Sequence, residues 1–436
     1  MQQELFTGLK DFIDNSPTCF QVTENLISKL DGLGFTRLYE GGEWDLSLGG
    51  KYFVVRGQSS VMAFKVPAKK PEGMMATASH SDSPTFKIRE TSQVPSAGGT
   101  VRLSVEGYGS INMRSWIDKP LSVAGRIFVK EGGKIVSKIV NVDRDLLIIP
   151  SLAIHMNREM NKGVELNPKT DMLPLFAGKC DEGAFRKVVA DAADVAVDDV
   201  ISIELSLYPR TPATLVGLNN EYIASPRLDD LECVFGCFEG FKRAKDTESL
   251  QMFCVFNNEE VGSGTRQGAN STFFEDTIRR ICDNLGMTSE ERYSMLANSF
   301  LISADNAHAI HPAHPEYADK TEFPVVNGGI VIKHNAAQKY CTDGLSSAVF
   351  VSVCEAAGAP YQRYSNRADI AGGSTLGNIS GTHVSIPSVD IGLPQLAMHS
   401  CYETGGVEDL VSLVKATTEF YGRNFRRGGD DEVSLA

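Results

Sequence analysis

The stretch QMFCVFNNEEVGS (residues 251–263) joins a short apolar segment to two adjacent glutamates. QMFCVF has the length and composition of a buried strand that ends where the polar residues begin. Adjacent like charges repel each other, so folding alone gives little reason to place Glu259 and Glu260 together at a strand end. The pair therefore predicts a nearby partner that offsets its negative charge.

Helical and strand patterns alternate along the chain after residue 214. LDDLECVFGCFEGFKRA (228–244) and SSAVFVSVCEAAG (346–358) are typical of helices, whereas SFLISAD (299–305) and PSVDIGLP (387–394) are short apolar strands. Such alternation predicts an α/β layer structure with a largely parallel sheet. An earlier apolar run at residues 74–78 lacks clear period-two alternation, as expected for a strand buried on both faces.

The block from residue 92 to residue 213 has a different pattern. Segments such as VRLSVEGYG (101–109) and VISIELSLYP (200–209) alternate with period two, which is typical of half-buried antiparallel strands. We therefore predict a β-rich domain at 92–213, inserted into an α/β domain formed by residues 1–91 and 214–436.

Composition narrows the class of protein. The chain has 436 residues, of which 42% are hydrophobic and 22% charged, as in an ordinary globular protein. Its formal net charge of -13 argues against nucleic acid as a general partner, because phosphate binding needs surplus Lys and Arg.

The nine cysteines are scattered without a CxxC pair, which suits free thiols in a reducing compartment. No apolar run approaches the ~20 residues needed to span a bilayer, and the N-terminal residues lack a signal pattern. We therefore expect a cytoplasmic protein that does not enter a membrane.

Several predicted strands of the α/β domain are followed by side chains that can bind metal ions. In open α/β sheets, ligands bind beyond the carboxyl ends of the strands, so these side chains are expected to meet there. A further aspartate, Asp229, lies at the start of the predicted helix that follows the segment SPRL. The residues with this placement are His80, Asp82, Asp229, Glu259, Glu260, Asp305 and His399.

His and carboxylate ligands suit Zn²⁺, or Mn²⁺ and Co²⁺ with less preference. In His80-Ser81-Asp82 an extended chain points residues i and i+2 the same way, so Asp82 could accept from the free ring N–H of His80. Two ions that share a carboxylate form a known hydrolytic arrangement. One ion would neutralise Glu260, and Glu259 would act as general base.

Each motif also has a simpler interpretation. An HxD motif is usually a surface turn, adjacent glutamates usually form a solvated loop, and His399 alone is typical of a packed or capping residue. The histidines at 308, 311 and 314 could form a polar loop without chemistry. The joint recurrence of the motifs after apolar strands favours the metal site.

Seven motifs in this order resemble the M18 family of metallo-aminopeptidases, the aspartyl aminopeptidase family. The resemblance extends over about residues 16–425. The motifs are TASHSDSPTFKI, SPRLDDL, FNNEEVGSGTRQGA, ISADNAHAIHP, GGIVIKHN, GGSTLGNIS and LAMHSCYE.

The resemblance implies roles for the candidate residues. Two divalent ions per subunit are implied, with Asp229 as the bridging ligand. The remaining implied assignments are His80 and Asp305 as ligands of one ion, Glu260 and His399 as ligands of the other, Glu259 as general base and Asp82 as orienting carboxylate.

The same resemblance implies peptide substrates and a preference for acidic N-terminal residues. It also implies a tetrahedral dodecamer assembled from dimers through the inserted domain, and a His155 that acts in the neighbouring subunit's site. The implied substrate-binding residues are His155, His308, Lys333, Gly373 and Ser374.

One position departs from the family pattern, since Asn378 stands where the family's GGST-x-GP motif has proline. The departure concerns the substrate-pocket loop and leaves the metal ligands untouched. Two alternatives remain: a di-metal amidohydrolase or deacylase acting on small amides, and a non-catalytic binding or cargo protein on a peptidase scaffold. The inserted block and the HAIHP and GGST stretches argue against the first, and the complete set of ligands and base argues against the second.

Overall fold

The computed structural model describes residues 1–370, 373, 375–429 and 432–436. Within these residues all the α-helices but one pack against a large mixed sheet, and the exception, Ala184–Ala192, packs on a second sheet. The helices are Gln2–Asp14, Cys19–Gly32, Ala184–Ala192, Leu228–Arg243, Phe273–Asn284, Ser289–Ala297, Gly344–Ala357, Leu376–Ser380 and Val407–Tyr421.

The large sheet has a parallel centre. Leu250–Phe256, Met74–His80, Phe300–Ala304 and Ser388–Gly392 are neighbours in this order and run parallel, so their carboxyl ends share one edge. The full order across the described sheet is Thr36–Leu38, Lys51–Arg56, Ser60–Lys65, Leu250–Phe256, Met74–His80, Phe300–Ala304, Ser388–Gly392, Ile330–His334 and Tyr361–Ser365. The prediction of an α/β fold with a largely parallel sheet is confirmed.

Both faces of the central strands are buried, which explains their uninterrupted apolar sequences. Met75 and Phe253 pack into the core formed with the helices on one face of the sheet. Their chain neighbours Met74 and Met252 pack into the core on the opposite face. Since successive side chains of a strand point to opposite faces, two covered faces require apolar residues at every position.

The helix Leu228–Arg243 lies in the centre of one core and is buried almost throughout. At its end, Lys65 Nζ donates to the carbonyl oxygens of Phe241, at 2.7 Å, and Ala244, at 3.3 Å. These bonds satisfy carbonyl groups that have no partner within the helix. The helix therefore holds a fixed position, and with it Asp229 in its first turn.

This central helix packs closely against Val407–Tyr421. The contact depends on Gly240, because a Cβ atom built there would lie 2.1 Å from Thr417 Oγ1. A side chain of any size would force the two helices apart.

The second sheet is antiparallel, and the helix Ala184–Ala192 packs on it through Phe185 and Val189. Its described strands, in spatial order, are Lys134–Asn141, Leu121–Glu131, Val200–Pro209, Thr85–Pro95, Val101–Tyr108 and Leu175–Ala177. The first strand of this sheet along the chain begins at Thr85, inside the segment 1–91 that was assigned to the α/β domain. The domain division at residues 92 and 213 stays a prediction.

Polar contacts join the second sheet to the rest of the chain. Gln21 Nε2, on the second helix of the chain, donates to the carbonyl oxygen of Val140 at 2.9 Å. The guanidinium of Arg126 lies 4.4 Å from the ring centre of Phe20 and donates to the carbonyl oxygen of Gly57 at 2.8 Å. Among the described residues, no helix has both the length and the apolarity needed to cross a bilayer.

Replacing Gly240 tests the close helix contact. We expect Gly240→Ala to lower the free energy of unfolding by about 1–3 kcal/mol, because overpacking a filled core costs this much. Gly32→Ala is the matched control: Gly32 is also a helical glycine, but nothing lies within 4 Å of the position that an added methyl group would take. Urea unfolding should therefore show a loss for Gly240→Ala and none for Gly32→Ala, whereas equal stability of the two variants would contradict the close contact.

Candidate metal centre

The carboxyl edge of the parallel strands brings the first candidate residues together. His80 is the last residue of Met74–His80, and Asp305 directly follows the neighbouring strand Phe300–Ala304. On the other side, His80 is paired in register with Phe256. The turn that carries the two glutamates therefore begins beside His80.

This turn has a conformation that its sequence favours. Asn258 adopts a left-handed backbone with φ 64°, which Asn tolerates better than most residues. A single 3-10 turn over Glu259–Val261 follows. The reversal places both glutamates at the sheet edge, within 4.8 Å of a ring nitrogen of His80, and the Glu260 side chain is almost fully buried.

Asp229 lies between two histidines. His80 Nε2 is 3.4 Å from Asp229 Oδ1, and His399 Nε2 is 3.5 Å from Asp229 Oδ2. On the two outer sides, His80 Nε2 is 3.8 Å from Asp305 Oδ1 and His399 Nε2 is 3.4 Å from Glu260 Oε2. The two oxygens of one carboxylate thus face two separate groups of side chains.

Side chains that could hold a metal ion form overlapping groups within the described residues. In each group the candidate ligand atoms lie within 4.8 Å of one another. The groups are His80, Asp229, Asp230 and Asp305; His80, Glu259 and Glu260; and Asp229, Glu260 and His399.

The chemistry of this cluster fits a metal ion. Asp229 Oδ1 and Glu260 Oε1 are buried and have no hydrogen-bond partner among the described residues. Leaving a buried carboxylate oxygen without a partner is costly. Histidine and carboxylate ligands together suit Zn²⁺. A cation between these atoms would supply the missing interaction.

The electrostatics of the cluster also call for a cation. Burial raises the pKa of Glu259 to about 8, with Asp305 and Asp82 adding to burial and His80 opposing it. Burial and Asp229 likewise hold the pKa of Glu260 well above its usual value. The protein alone therefore does not keep both glutamates ionised at neutral pH. A bound metal ion would stabilise their charged forms.

The Asp82 carboxylate makes shorter contacts with Tyr108 and with the turn that carries Glu259 and Glu260 than with His80. The ring atom His80 Nδ1 lies 3.0 Å from the carbonyl oxygen of Asp82 and 3.5 Å from its carboxylate Oδ1. That carboxylate accepts the backbone N–H groups of Glu259 and Glu260, each at 3.2 Å, and the hydroxyl of Tyr108 at 2.6 Å. The orienting partner predicted for His80 thus also holds the two glutamates in place.

Sequence reasoning missed two buried carboxylates beside the cluster. Asp230 Oδ2 accepts the backbone N–H of His80 at 3.0 Å. Glu403 accepts the backbone N–H groups of Asp229, at 3.1 Å, and His399, at 2.8 Å. The doubled aspartate in SPRLDDL was a visible signal for Asp230, whereas Glu403 gave none beyond its position four residues after His399.

The predicted substrate-binding residues lie in different places. Lys333 is buried, with Nζ 3.7 Å from Asp305 Oδ2. His308 and Gly373 line a cavity of about 330 Å³. His155 is exposed, and no hydrogen bond or ion pair joins it to the cluster within the described part of the same chain. Ser374 lies outside the described residues.

Comparison with known proteins identifies the family. Residues 12–421 match the family described as aminopeptidase I zinc metalloprotease (M18). The protein called probable M18 family aminopeptidase 2 of Clostridium acetobutylicum is 41% identical over 428 residues, which cover 96% of this chain and 98% of that protein. The chain belongs to the M18 family of zinc metalloproteases and is an aminopeptidase.

Solved structures agree with this assignment. A cryo-EM structure of a complex of Ape4 and Nbr1 superimposes with a TM-score of 0.93 and 31% identity, covering 97% of this chain and 86% of that one. The dodecamer structure of S. cerevisiae mApe1 superimposes with a TM-score of 0.84 and 26% sequence identity, with 96% of each chain covered. Family membership favours the aminopeptidase over the deacylase and the non-catalytic alternatives.

Removing bound metal tests the cluster as a metal centre. Treatment with a chelator should lower the melting temperature, because an ion at 100 times its Kd adds about 2.7 kcal/mol to the stability of the folded state. Zn²⁺ added in slight excess should restore it, whereas Mg²⁺, which prefers oxygen ligands, should not. An unchanged melting temperature after metal analysis has verified removal would contradict the assignment.

Proposed function

We propose that this aminopeptidase releases N-terminal residues from peptides with a pair of divalent ions, and that it prefers Asp and Glu as the residue released. The observation that carries the proposal is the position of Asp229, whose two oxygens face His80 and His399. A carboxylate placed between two sets of ligands is suited to bridging two ions. Zn²⁺ is the expected metal, with Mn²⁺ or Co²⁺ as substitutes.

Each ion would have ligands on its own side of Asp229. His80 and Asp305 would complete the set on one side, and Glu260 and His399 would complete it on the other. When bound, the ions would polarise the scissile carbonyl and favour ionisation of the attacking water. Lys333, whose Nζ lies 3.7 Å from Asp305 Oδ2, adds a positive charge beside the ligands on the His80 side.

Glu259 is proposed as the general base. Unlike Glu260, it forms no ion pair with His399 among the described residues, and its carboxylate lies beside His80 and Glu260. It would take a proton from the attacking water and transfer it to the leaving amine. The hydrogen bond from its backbone N–H to Asp82 fixes the position of the residue without using its carboxylate.

The preference for acidic residues rests on Lys333. Burial by itself would lower the pKa of this lysine, but Asp305, Tyr340 and Asp390 together outweigh burial and raise the pKa, so the side chain is positively charged. A charged lysine beside the metal centre is suited to bind the carboxylate of an N-terminal Asp or Glu. His308 and Gly373, which line the neighbouring cavity, would contact the same substrate.

The active form is proposed to be a homo-oligomer built from dimers, as a tetrahedral dodecamer. The related S. cerevisiae mApe1 was solved as a dodecamer. His155 lies among exposed apolar side chains, with Leu152 52% and Met156 77% exposed. Exposed apolar groups of this kind favour contact with another subunit. We propose that the insert 92–213 forms the dimer contact and presents His155 to the neighbouring subunit's centre.

The protein is proposed to act in the cytoplasm. All nine cysteines are free thiols in the structure, and free thiols persist in reducing compartments.

Exchanging each glutamate for glutamine separates the base from the ligand. Glu259→Gln should keep its full metal content and lose about 10²–10⁴-fold in kcat, the usual contribution of a general base. Glu260→Gln should bind less metal, because one ligand oxygen is lost. Metal analysis and turnover should be measured on both variants. Metal loss in Glu259→Gln with full metal in Glu260→Gln would reverse the two roles.

Mixing two inactive variants tests whether subunits share sites. His155→Ala should lose activity while retaining metal, and so should Glu259→Gln. Mixed oligomers should regain activity, because some sites would combine an intact Glu259 with an intact His155 from another chain. His383→Ala, which changes a half-buried histidine bonded to Asn270, is the control and should stay active. Failure to regain activity despite verified subunit exchange would exclude shared sites.

Substrate comparison tests the role of Lys333. A charge-assisted hydrogen bond is worth about 1.5–3 kcal/mol, and each 1.36 kcal/mol corresponds to tenfold in rate. The wild type should therefore cleave Asp and Glu substrates roughly tens to hundreds of times faster, in kcat/KM, than Asn or Leu substrates. Lys333→Met should lose this preference, and Lys339→Met, at an exposed lysine, should keep it. Equal cleavage of Leu and Asp substrates by the wild type would mark a broad aminopeptidase.

A further inference from the structure

Tyr108 connects the second sheet to the metal centre. It is the last residue of the strand Val101–Tyr108, and its side chain is almost completely buried. Its hydroxyl lies 2.6 Å from Asp82 Oδ2, the shortest contact that this carboxylate makes. Every candidate metal ligand lies in the sheet-edge part of the fold, so Tyr108 brings a polar group to the centre from a different sheet.

The direction of this hydrogen bond is fixed by Asn258. The amide oxygen of Asn258 accepts from Thr265 Oγ1 and from Gln267 Nε2, both at 2.9 Å. The amide nitrogen of Asn258 therefore faces the phenol oxygen of Tyr108, to which it donates at 2.8 Å. Because the phenol oxygen already accepts a proton from Asn258, its own hydrogen points to Asp82.

Lys87, an exposed residue, makes the hydroxyl of Tyr108 a stronger hydrogen-bond donor. Its Nζ lies 4.2 Å from the ring centre of Tyr108, the position of a cation–π contact. Lys87 and Tyr108 are both on the second sheet, in the paired strands Thr85–Pro95 and Val101–Tyr108. A positive charge over the ring draws electron density from the phenol and makes its hydroxyl a better donor.

We propose that Tyr108 is a positioning residue, through which the second sheet holds Asp82 in the orientation that the metal centre needs. The inference rests on the proposed function, because it assigns Asp82 and His80 to that centre. Without the hydroxyl, Asp82 Oδ2 keeps only the backbone N–H of Glu260. The carboxylate as a whole then retains only the two 3.2 Å bonds from the backbone N–H groups of Glu259 and Glu260. It is held less firmly, and the contacts that hold His80 and this turn weaken together.

Tyr108→Phe removes the hydroxyl and keeps the ring. We expect apo Tyr108→Phe to bind Zn²⁺ about 10-fold more weakly than the wild type, since partners of ligating groups typically contribute 10–100-fold to metal affinity. The affinity should be measured by competition with a chromophoric chelator. At saturating Zn²⁺ the variant should have a lower kcat and an unchanged KM, because Tyr108 does not touch the substrate.

Tyr208→Phe is the matched control. Tyr208 is a buried tyrosine of the same sheet, and its hydroxyl donates to Asn141 Oδ1 at 2.8 Å instead of to the centre. Removing the Tyr208 hydroxyl should lower the melting temperature of the apo protein about as much as removing the Tyr108 hydroxyl does, but it should not change the Zn²⁺ affinity. Equal Zn²⁺ affinity of Tyr108→Phe and Tyr208→Phe would overturn the proposal.

Two further variants keep the outcome interpretable. His80→Ala should lose Zn²⁺ binding. If His80→Ala still binds Zn²⁺, the metal centre itself is disproved. If His80→Ala loses Zn²⁺ binding but Tyr108→Phe keeps wild-type affinity, only the role of Tyr108 is disproved. Should Tyr108→Phe fail to fold, Lys87→Met changes an exposed side chain and is expected to weaken Zn²⁺ binding about 2-fold. Wild-type affinity in Lys87→Met would then overturn the proposal.

Discussion

Mutual repulsion among buried carboxylates is the constraint on which this structure depends. Asp82, Asp229, Asp230, Glu259, Glu260 and Asp305 lie at one edge of the large sheet, and the nearby positive groups of the chain are few. Taking such charges out of water is expensive unless they are paired. The packing of the core beneath them, which includes the fully buried strands and the central helix, stabilises the fold and offsets the free-energy cost of burying these carboxylates.

Two carboxylates, Asp82 and Glu403, hold several of the candidate ligands in place through backbone hydrogen bonds. Asp229 and His399 are tied through their backbone to Glu403, and the two glutamates are tied through theirs to Asp82. Backbone anchors leave the side-chain oxygens free for other partners. A centre held in this way is preorganised, because its ligands need little rearrangement when ions bind.

Sequence alone indicated the α/β fold and the sheet-edge position of the candidate ligands, because both depend on local patterns. The apolar strands marked where the chain crosses the core, and His80, Glu260 and Asp305 lie at or within four residues of the ends of such strands. The roles of Tyr108 and Glu403 were beyond sequence reasoning, since the contacts of Tyr108 with Asp82 and of Glu403 with Asp229 join distant segments and leave no local pattern. The start of the second sheet was also missed, because its first strand, Thr85–Pro95, begins only three residues after Asp82 of the HxD motif.

The order of the strands has a consequence for synthesis of the protein. Met74–His80 pairs with strands that begin at residues 250 and 300, so an apolar segment leaves the ribosome long before its neighbours exist. Contacts this distant along the chain form slowly, and an unpaired apolar strand is prone to aggregation while it waits. A nascent chain that stops before His399 also lacks a candidate ligand of the centre. The complete set of candidate ligands is therefore present only after synthesis has passed His399.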